Sequence, residues 1–258
     1  MIFDIDFAVK NFFVALTGVP ITLLVTFVAI AAGLPLAFLI AVGRQSEKGF
    51  LSQILALYIS FFRGVPVIVL IFLIYYGLPG VMKTAADTMG ISFNPNHVNP
   101  LIYAFIVFIL NASASFAEMW KAALSSVGRG QMEAAEMAGL SKTQAYIHVV
   151  LPQAFATAAP SFCSITLSTL KETSLVFMMT VQDITARAKI AAGLEYRYVE
   201  GFVDALLVYV IVCYTLEFLL KKWEVYLTAY RTVPSKTVKS SFSPVRVLGV
   251  QLRKGTIN

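Results

Sequence analysis

Hydrophobic residues in this chain fall into long blocks, and the few polar interruptions between them set its layout. No charged residue occurs between Lys10 and Arg44, a stretch longer than the roughly 20 residues a helix needs to cross a bilayer. A second block, Phe50 to Leu78, is interrupted only by Arg63, and a third, Pro100 to Ala117, is unbroken before Glu118. Two more follow: Phe155 to Met179, containing Lys171 and Glu172, and Phe202 to Leu220, containing Asp204 and Glu217. The pattern predicts an all-α polytopic membrane protein with five transmembrane helices.

Between the third and fourth blocks lies a polar island, QMEAAEMAGLSKTQAYIHVVLP at Gln131 to Pro152. Gln131 to Ala138 favour helix by composition, Gly139 suits a left-handed stop, and Ser141 with Gln144 forms a capping box for a second helix. Pro152 marks the next junction. A short helix rich in small residues (Ala134, Ala135, Ala138) and tethered between two spans fits deep into a partner's cleft, because nothing bulky holds it off. An ordinary surface turn is the competing reading.

Composition agrees with the blocks. With 58% hydrophobic and 13% charged residues and a mean hydropathy of +0.78, a chain of 258 residues is too apolar for a soluble domain. Cys163 and Cys213 each sit inside an apolar run, which fits neither a disulfide framework nor a metal cluster and leaves packing. The net charge of +6 does not point to nucleic acid, since the cations are not clustered with aromatics on a soluble face. The start, MIFDIDFAVKNFF, has acids where a signal peptide has basic residues, so it reads as uncleaved. Ile2, Phe3, Phe7, Phe12 and Phe13 suggest an amphipathic segment lying on the membrane surface.

Five spans place the chain ends on opposite sides. Lys221, Lys222, Arg231, Lys236, Lys239, Arg246, Arg253 and Lys254 follow span five, whereas Asp4 and Asp6 precede span one, so the positive-inside rule puts the C-terminus in the cytoplasm and the N-terminus outside. The Arg44 to Lys48 segment and the polar island, with Lys121, Arg129 and Lys142, then face the cytoplasm too. Pro79 to Asn99 reads as a turn-rich outer loop, and Asp183 to Glu200, with Arg187, Lys189 and Arg197, fits this orientation least well. Residues 1–230 form the transmembrane domain, with the loop at about 125–152, and 231–258 read as a flexible basic tail suited to lipid contact.

Polar side chains within the blocks recur at helical spacing. Thr157, Ser161, Ser164, Ser168 and Lys171 make one stripe in span four, with Glu172 and Thr173 beside its end. Asn111, Ser115 and Glu118 follow the same rule in span three, and span two contributes Arg63 after Ser60. Buried polar groups in a membrane face protein or water. The stripes therefore line a hydrated path, with Arg63 and Lys171 suited to a carboxylate and Glu118 or Glu172 to an ammonium group. The other reading is close helix packing, with Glu118 simply pairing with Lys121 at i and i+3 and Arg63 held in a structural ion pair. No GxxxxGK(S/T) phosphate loop, HExxH or GxSxG occurs, and His97 and His148 do not suggest zinc, so the chain reads as no enzyme.

Glu133-Ala134-Ala135, then Gly139 and the closing Leu151-Pro152, resemble the EAA signature of permease subunits of bacterial ATP-binding-cassette importers. FRGVPVIVLIFLIYYGLP at Phe62 to Pro79, AEMWKAALSSVGRGQMEAAEMAGLS at Ala117 to Ser141 and LKETSL at Leu170 to Leu175 are similar to the polar amino acid branch of that family. The resemblance covers about Thr17 to Tyr230. It implies a permease in the bacterial plasma membrane whose cytoplasmic EAA loop is a coupling helix seated in a cytoplasmic ATPase dimer. ATP and Mg would sit on that partner, with no cofactor on this chain. A second permease subunit, identical or related, and an extracytoplasmic amino-acid-binding protein complete the implied assembly. By the resemblance, Glu133, Ala134, Ala135 and Gly139 are coupling residues, and Arg63 to Pro66 and Lys171 to Ser174 lie near the path. Ser115 and Ser164 depart from the branch, which commonly has an aromatic and an Asn there. Val181 to Glu200 looks most like cystine-type members. Two rivals stand beside this reading: a channel or secondary transporter that works without an ATPase, and a membrane assembly subunit whose loop binds a partner.

Overall fold

The computed structural model describes residues 3–44, 49–92 and 94–229, and every regular element among them is helical. Expectations for Gln45 to Lys48, Ile2 and the basic tail at 231–258 lie outside these residues. Five helical stretches are long and apolar enough to cross a membrane.

The chain starts with α1 (Ile5–Leu16), and Asp4 caps it by accepting the Phe7 N–H at 2.9 Å. Its buried positions, Phe7, Ala8, Asn11 and Ala15, form a helical stripe, while Phe3 and Phe13 stay exposed. The phenylalanines expected together on the membrane surface are thus divided between two faces, because the inner one packs on protein. After a tight step at Thr17 and Gly18 comes α2 (Val19–Gly43), which lies along α6 (Pro100–Ser126) in the most extensive helix pairing of the fold. Small residues allow the close approach: Ala29, Ala37, Ala104 and Ala112 are fully buried, and a Cβ on Gly33 would meet the α6 backbone at 3.3 Å.

Span two differs from expectation. The apolar run breaks after α3 (Phe50–Gly64), and a second stretch begins with α4 (Val67–Phe72), passes through a π-helical turn at Leu73–Gly77, and continues as α5 (Leu78–Thr88). The cause is Pro66, which offers no N–H and forces Val65 into extended backbone at φ −95°, ψ 130°. The expected outer loop shrinks accordingly, because helix continues from Leu78 to Thr88.

α6 is the most deeply buried span. It meets α9 (Leu151–Glu172) through stacked Phe116 and Phe162 and through Trp120 set edge-on to Phe155. A 3₁₀ turn, Thr173–Met179, leads to α10 (Ile184–Leu194) and α11 (Tyr198–Thr228). One core runs between α2, α4, α6 and α9, with Phe108, Phe116, Leu70 and Ile71 fully enclosed. A second, smaller core, with Ala15, Ile184, Ala188, Ala205 and Val208, joins α1, α10 and α11.

Polar groups lock that second core. Asp183 is 1% exposed and caps α10 by accepting the Ala186 and Thr185 N–H groups at 2.9 and 3.0 Å, and the Tyr209 hydroxyl donates to it at 3.0 Å. Burial pushes the Asp183 carboxyl above the ordinary carboxylate range, and those hydrogen bonds oppose the shift. Asn11 Nδ2 donates to Asp204 at 2.7 Å in the buried interior, and Arg197 reaches Asp4 at 2.8 Å.

Candidate functional site

The polar island folds as a two-helix elbow. α7 (Arg129–Met137) ends at Ala138, and Gly139 takes the left-handed conformation at φ +91°. The Leu140 N–H then reaches back to the Ala135 carbonyl at 3.1 Å and the Gly139 N–H to the Glu136 carbonyl at 3.0 Å, the pair of bonds that defines a Schellman stop. One residue later the capping box forms: Ser141 Oγ accepts the Gln144 N–H, and Gln144 Oε1 accepts the Ser141 N–H at 2.9 Å. The short α8 (Lys142–Ala145) runs through a π-helical turn, Tyr146–Val150, straight into α9.

Burial divides the elbow into two sides. Ala135 is 7% exposed and Ala145 fully buried, and together they hold it to the body of the protein. Glu133, Ala134, Ala138 and Gly139 are exposed, and Met137 is 91% exposed. The outward side is therefore shallow and small, with one protruding thioether and the Glu133 carboxylate, a shape suited to insertion into a cleft.

The polar positions of the spans converge only in part. Asn111, buried on α6, donates to Glu172 at the end of α9 at 2.9 Å, so two of the expected residues meet directly. Ser115 is half-buried between them and the elbow. Glu118 does not pair with Lys121. It binds Arg44 at 3.0 Å, because the end of α2 crosses α6 at this level and brings a guanidinium closer. Arg63 is exposed at the last turn of α3 and makes no ion pair among the described residues.

Ser161, Ser164, Ser168 and Lys171 share an exposed face of α9, while Thr157 is half-buried. The side chains that α9 packs on α6 are others, Phe155 on Trp120 and Phe162 on Phe116. Lys171 opens onto a cleft of about 450 Å³ shared with Tyr209, Cys213 and Glu217 of α11. The serine face and the Asn111–Glu172 pair are thus separate surfaces of one subunit. Sequence reasoning missed Arg44. Its position at the end of an uncharged block, level with Glu118 at the end of another, was the available signal.

Apolar helices packed around a small-residue pairing, with a doubly capped elbow between the third and fourth spans, define an inner-membrane transport subunit. The chain belongs to the family described as binding-protein-dependent transport system inner membrane component, whose model matches residues 33–223. It is an amino-acid ABC transporter permease by its relatives. YckA of Bacillus subtilis (strain 168), a probable amino-acid ABC transporter permease protein, is 35% identical over 212 residues, covering 82% of this chain and 88% of that protein. TcyL of the same organism, an L-cystine transport system permease protein, is 32% identical over 208 residues, covering 80% and 84%. A solved amino acid ABC transporter structure with histidines superposes with a TM-score of 0.73 at 27% identity, covering 87% of this chain and 99% of that one. Permeases of this family are not themselves enzymes. The family implies a separate ATPase and a substrate-binding protein.

Proposed function

We propose that this chain forms half of the membrane pore of an ATP-driven importer for a polar amino acid, working beside a second permease subunit. Its N-terminus lies outside and its C-terminus in the cytoplasm, as the basic residues after span five require. α7 is the coupling helix: ATP and Mg bound by the partner ATPase dimer close that dimer, and the elbow transmits the motion to α6 and α9 as rigid-body rocking. The supporting observation is the elbow, whose caps make it stiff and whose exposed Glu133, Ala134 and Gly139 form a low surface held from behind by Ala135. Substrate passes along a path bordered by Arg63, Asn111, Ser115, Glu118 and Glu172, together with the Ser161, Ser164, Ser168 and Lys171 face that a second permease would enclose. Cystine is the first substrate to test, on the likeness to TcyL and the character of Val181 to Glu200.

The test is ATP hydrolysis by the complex reconstituted with its ATPase and binding protein, with candidate amino acids supplied one at a time. One amino acid should stimulate hydrolysis, and Glu133→Arg should abolish that stimulation and weaken ATPase association. Undiminished association and uptake in the Glu133→Arg, Gly139→Val double variant would eliminate α7 as the coupling helix.

A further inference from the structure

A cleft of about 420 Å³ opens where the ends of α2 and α6 meet the start of α7. Arg44, Lys121 and Arg129 line it with Ser125 and Tyr146, among apolar Ala41, Leu124 and Val127. Among the described residues one carboxylate, Glu118, contacts this group, through Arg44. Lys121 and Arg129 make no ion pair among the described residues, so the cleft keeps a positive excess of two. The Arg44 side chain is 15% exposed, and its Nε is buried without a hydrogen-bond partner. Gly128 precedes α7 and offers no side-chain cap, so the first turn of α7 has no side-chain acceptor at its N-cap.

Placement identifies the ligand. α2 ends at Gly43 and α6 at Ser126, the points where two apolar spans stop, so the cleft sits at the level where hydrocarbon gives way to headgroups. Two guanidinium forks and an ammonium set among apolar side chains match a phosphate group attached to acyl chains. We propose that this cleft binds the phosphate of an anionic phospholipid headgroup. A bound headgroup ties the first turn of the elbow to the bilayer surface. Lipid binding here is independent of the ATPase coupling proposed above, and its test needs no ATPase.

The full-length chain, purified into mixed micelles with equal phosphatidylglycerol and phosphatidylcholine, is examined by native mass spectrometry for retained lipid. Phosphatidylglycerol should be retained over phosphatidylcholine. Each basic side chain near an anionic headgroup contributes about fivefold to binding, so Lys121→Gln with Arg129→Gln should lower retention about thirtyfold. Lys121→Arg should keep it, and unchanged helicity by circular dichroism shows that the double variant is folded. A chain truncated after Tyr230 should retain the lipid as well, which separates the cleft from the basic tail. Equal retention of both lipids, retention unmoved by the double variant, or loss on truncation would each overturn the proposal. Displacement of the lipid by inorganic phosphate would assign the cleft to free phosphate instead. Displacement by the partner ATPase would assign it to an acidic protein segment. Either result sinks the lipid site.

Discussion

The two ends of α2 solve the same problem in opposite ways. At the elbow end, the chain reverses through devices confined to a few neighbouring residues: a left-handed Gly139, a Schellman pair and a capping box. At the α1–α10–α11 end, elements far apart in sequence are held by buried polar pairs and by one backbone crossing at Gly18. Two glycines show the difference. Gly139 has open space around a would-be Cβ and is needed for its positive φ. Gly18 has an ordinary φ of −81° and no room, with the Asp183 carbonyl carbon 2.4 Å from where a Cβ would sit. The elbow can be strained without being blocked. The other end fails sterically.

The largest effect should therefore come from Gly18→Ala. The obstructing atoms are backbone on both sides and have no rotamer to change, so the cost lies at or above the top of the usual overpacking range of about 1–3 kcal/mol. Thermal unfolding of the purified chain in detergent should show a lower melting temperature than Asp204→Ala or any elbow variant. A Gly18→Ala melt matching the wild type would mean that α2 and α10 do not cross this closely.

Next is the buried pair of Asn11 and Asp204. Asp204→Ala leaves the Asn11 amide without its acceptor beside Gly201, and an unsatisfied buried donor costs about 1–3 kcal/mol. Asp204→Asn preserves an acceptor and should recover most of that loss. Hydrogen exchange of α1 reads the distinction: amides of Phe7 to Ala15 should exchange faster in Asp204→Ala than in Asp204→Asn. Equal exchange in the two would show that an acceptor for the Asn11 amide does not help to hold α1.

The same contrast governs what the sequence discloses. Elbow signals lie within a few residues of one another, so Gly139, Ser141 and Gln144 announce the turn from their order in the chain alone. Asn11 and Asp204 are 193 positions apart, and nothing local in either residue names the other. The break in span two was available in Arg63-Gly64-Val65-Pro66, since proline restricts the residue before it, but an unbroken hydropathy run concealed it. Periodicity placed Ser161, Ser164 and Ser168 on one face, and they share one. Helix spacing names the face but not the neighbour that covers it. Arg44 took Glu118 from Lys121 for a similar reason, since helix spacing describes one helix and the α2 crossing supplied a better partner.

At the elbow itself, smaller effects are expected. Gly139→Ala forces a Cβ into the left-handed region, about 1–2 kcal/mol, and Gly139→Asn should cost less because Asn tolerates that conformation. Ser141→Ala removes one half of the capping box, about 1 kcal/mol. Global melting should barely change in these variants, because the elbow's hydrogen bonds are exposed and local. Faster hydrogen exchange confined to residues 138–145 is the readout. A loss of global stability larger than that of Asp204→Ala would reverse this order.

The smallest effect concerns pH at the α1 end. The Asp4 carboxyl lies below its ordinary value of 3.8, first because it accepts the Phe7 N–H and further because the Arg197 guanidinium stands beside it. A carboxylate depressed in the folded state gives stability that is complete above the unfolded value and disappears as pH falls through the folded one. Wild type should therefore melt slightly above Asp4→Asn at about pH 6, and the gap should close below about pH 4 as the carboxyl of the wild type protonates. Asp183 moves the other way: burial raises its carboxyl, so its ionised form weighs against folding above that raised value and the penalty lifts on acidification. A wild-type advantage over Asp4→Asn that persists or widens below about pH 4 would show that Asp4 does not act through its charge. The cap and the Arg197 pair would then be incidental to the docking of α1.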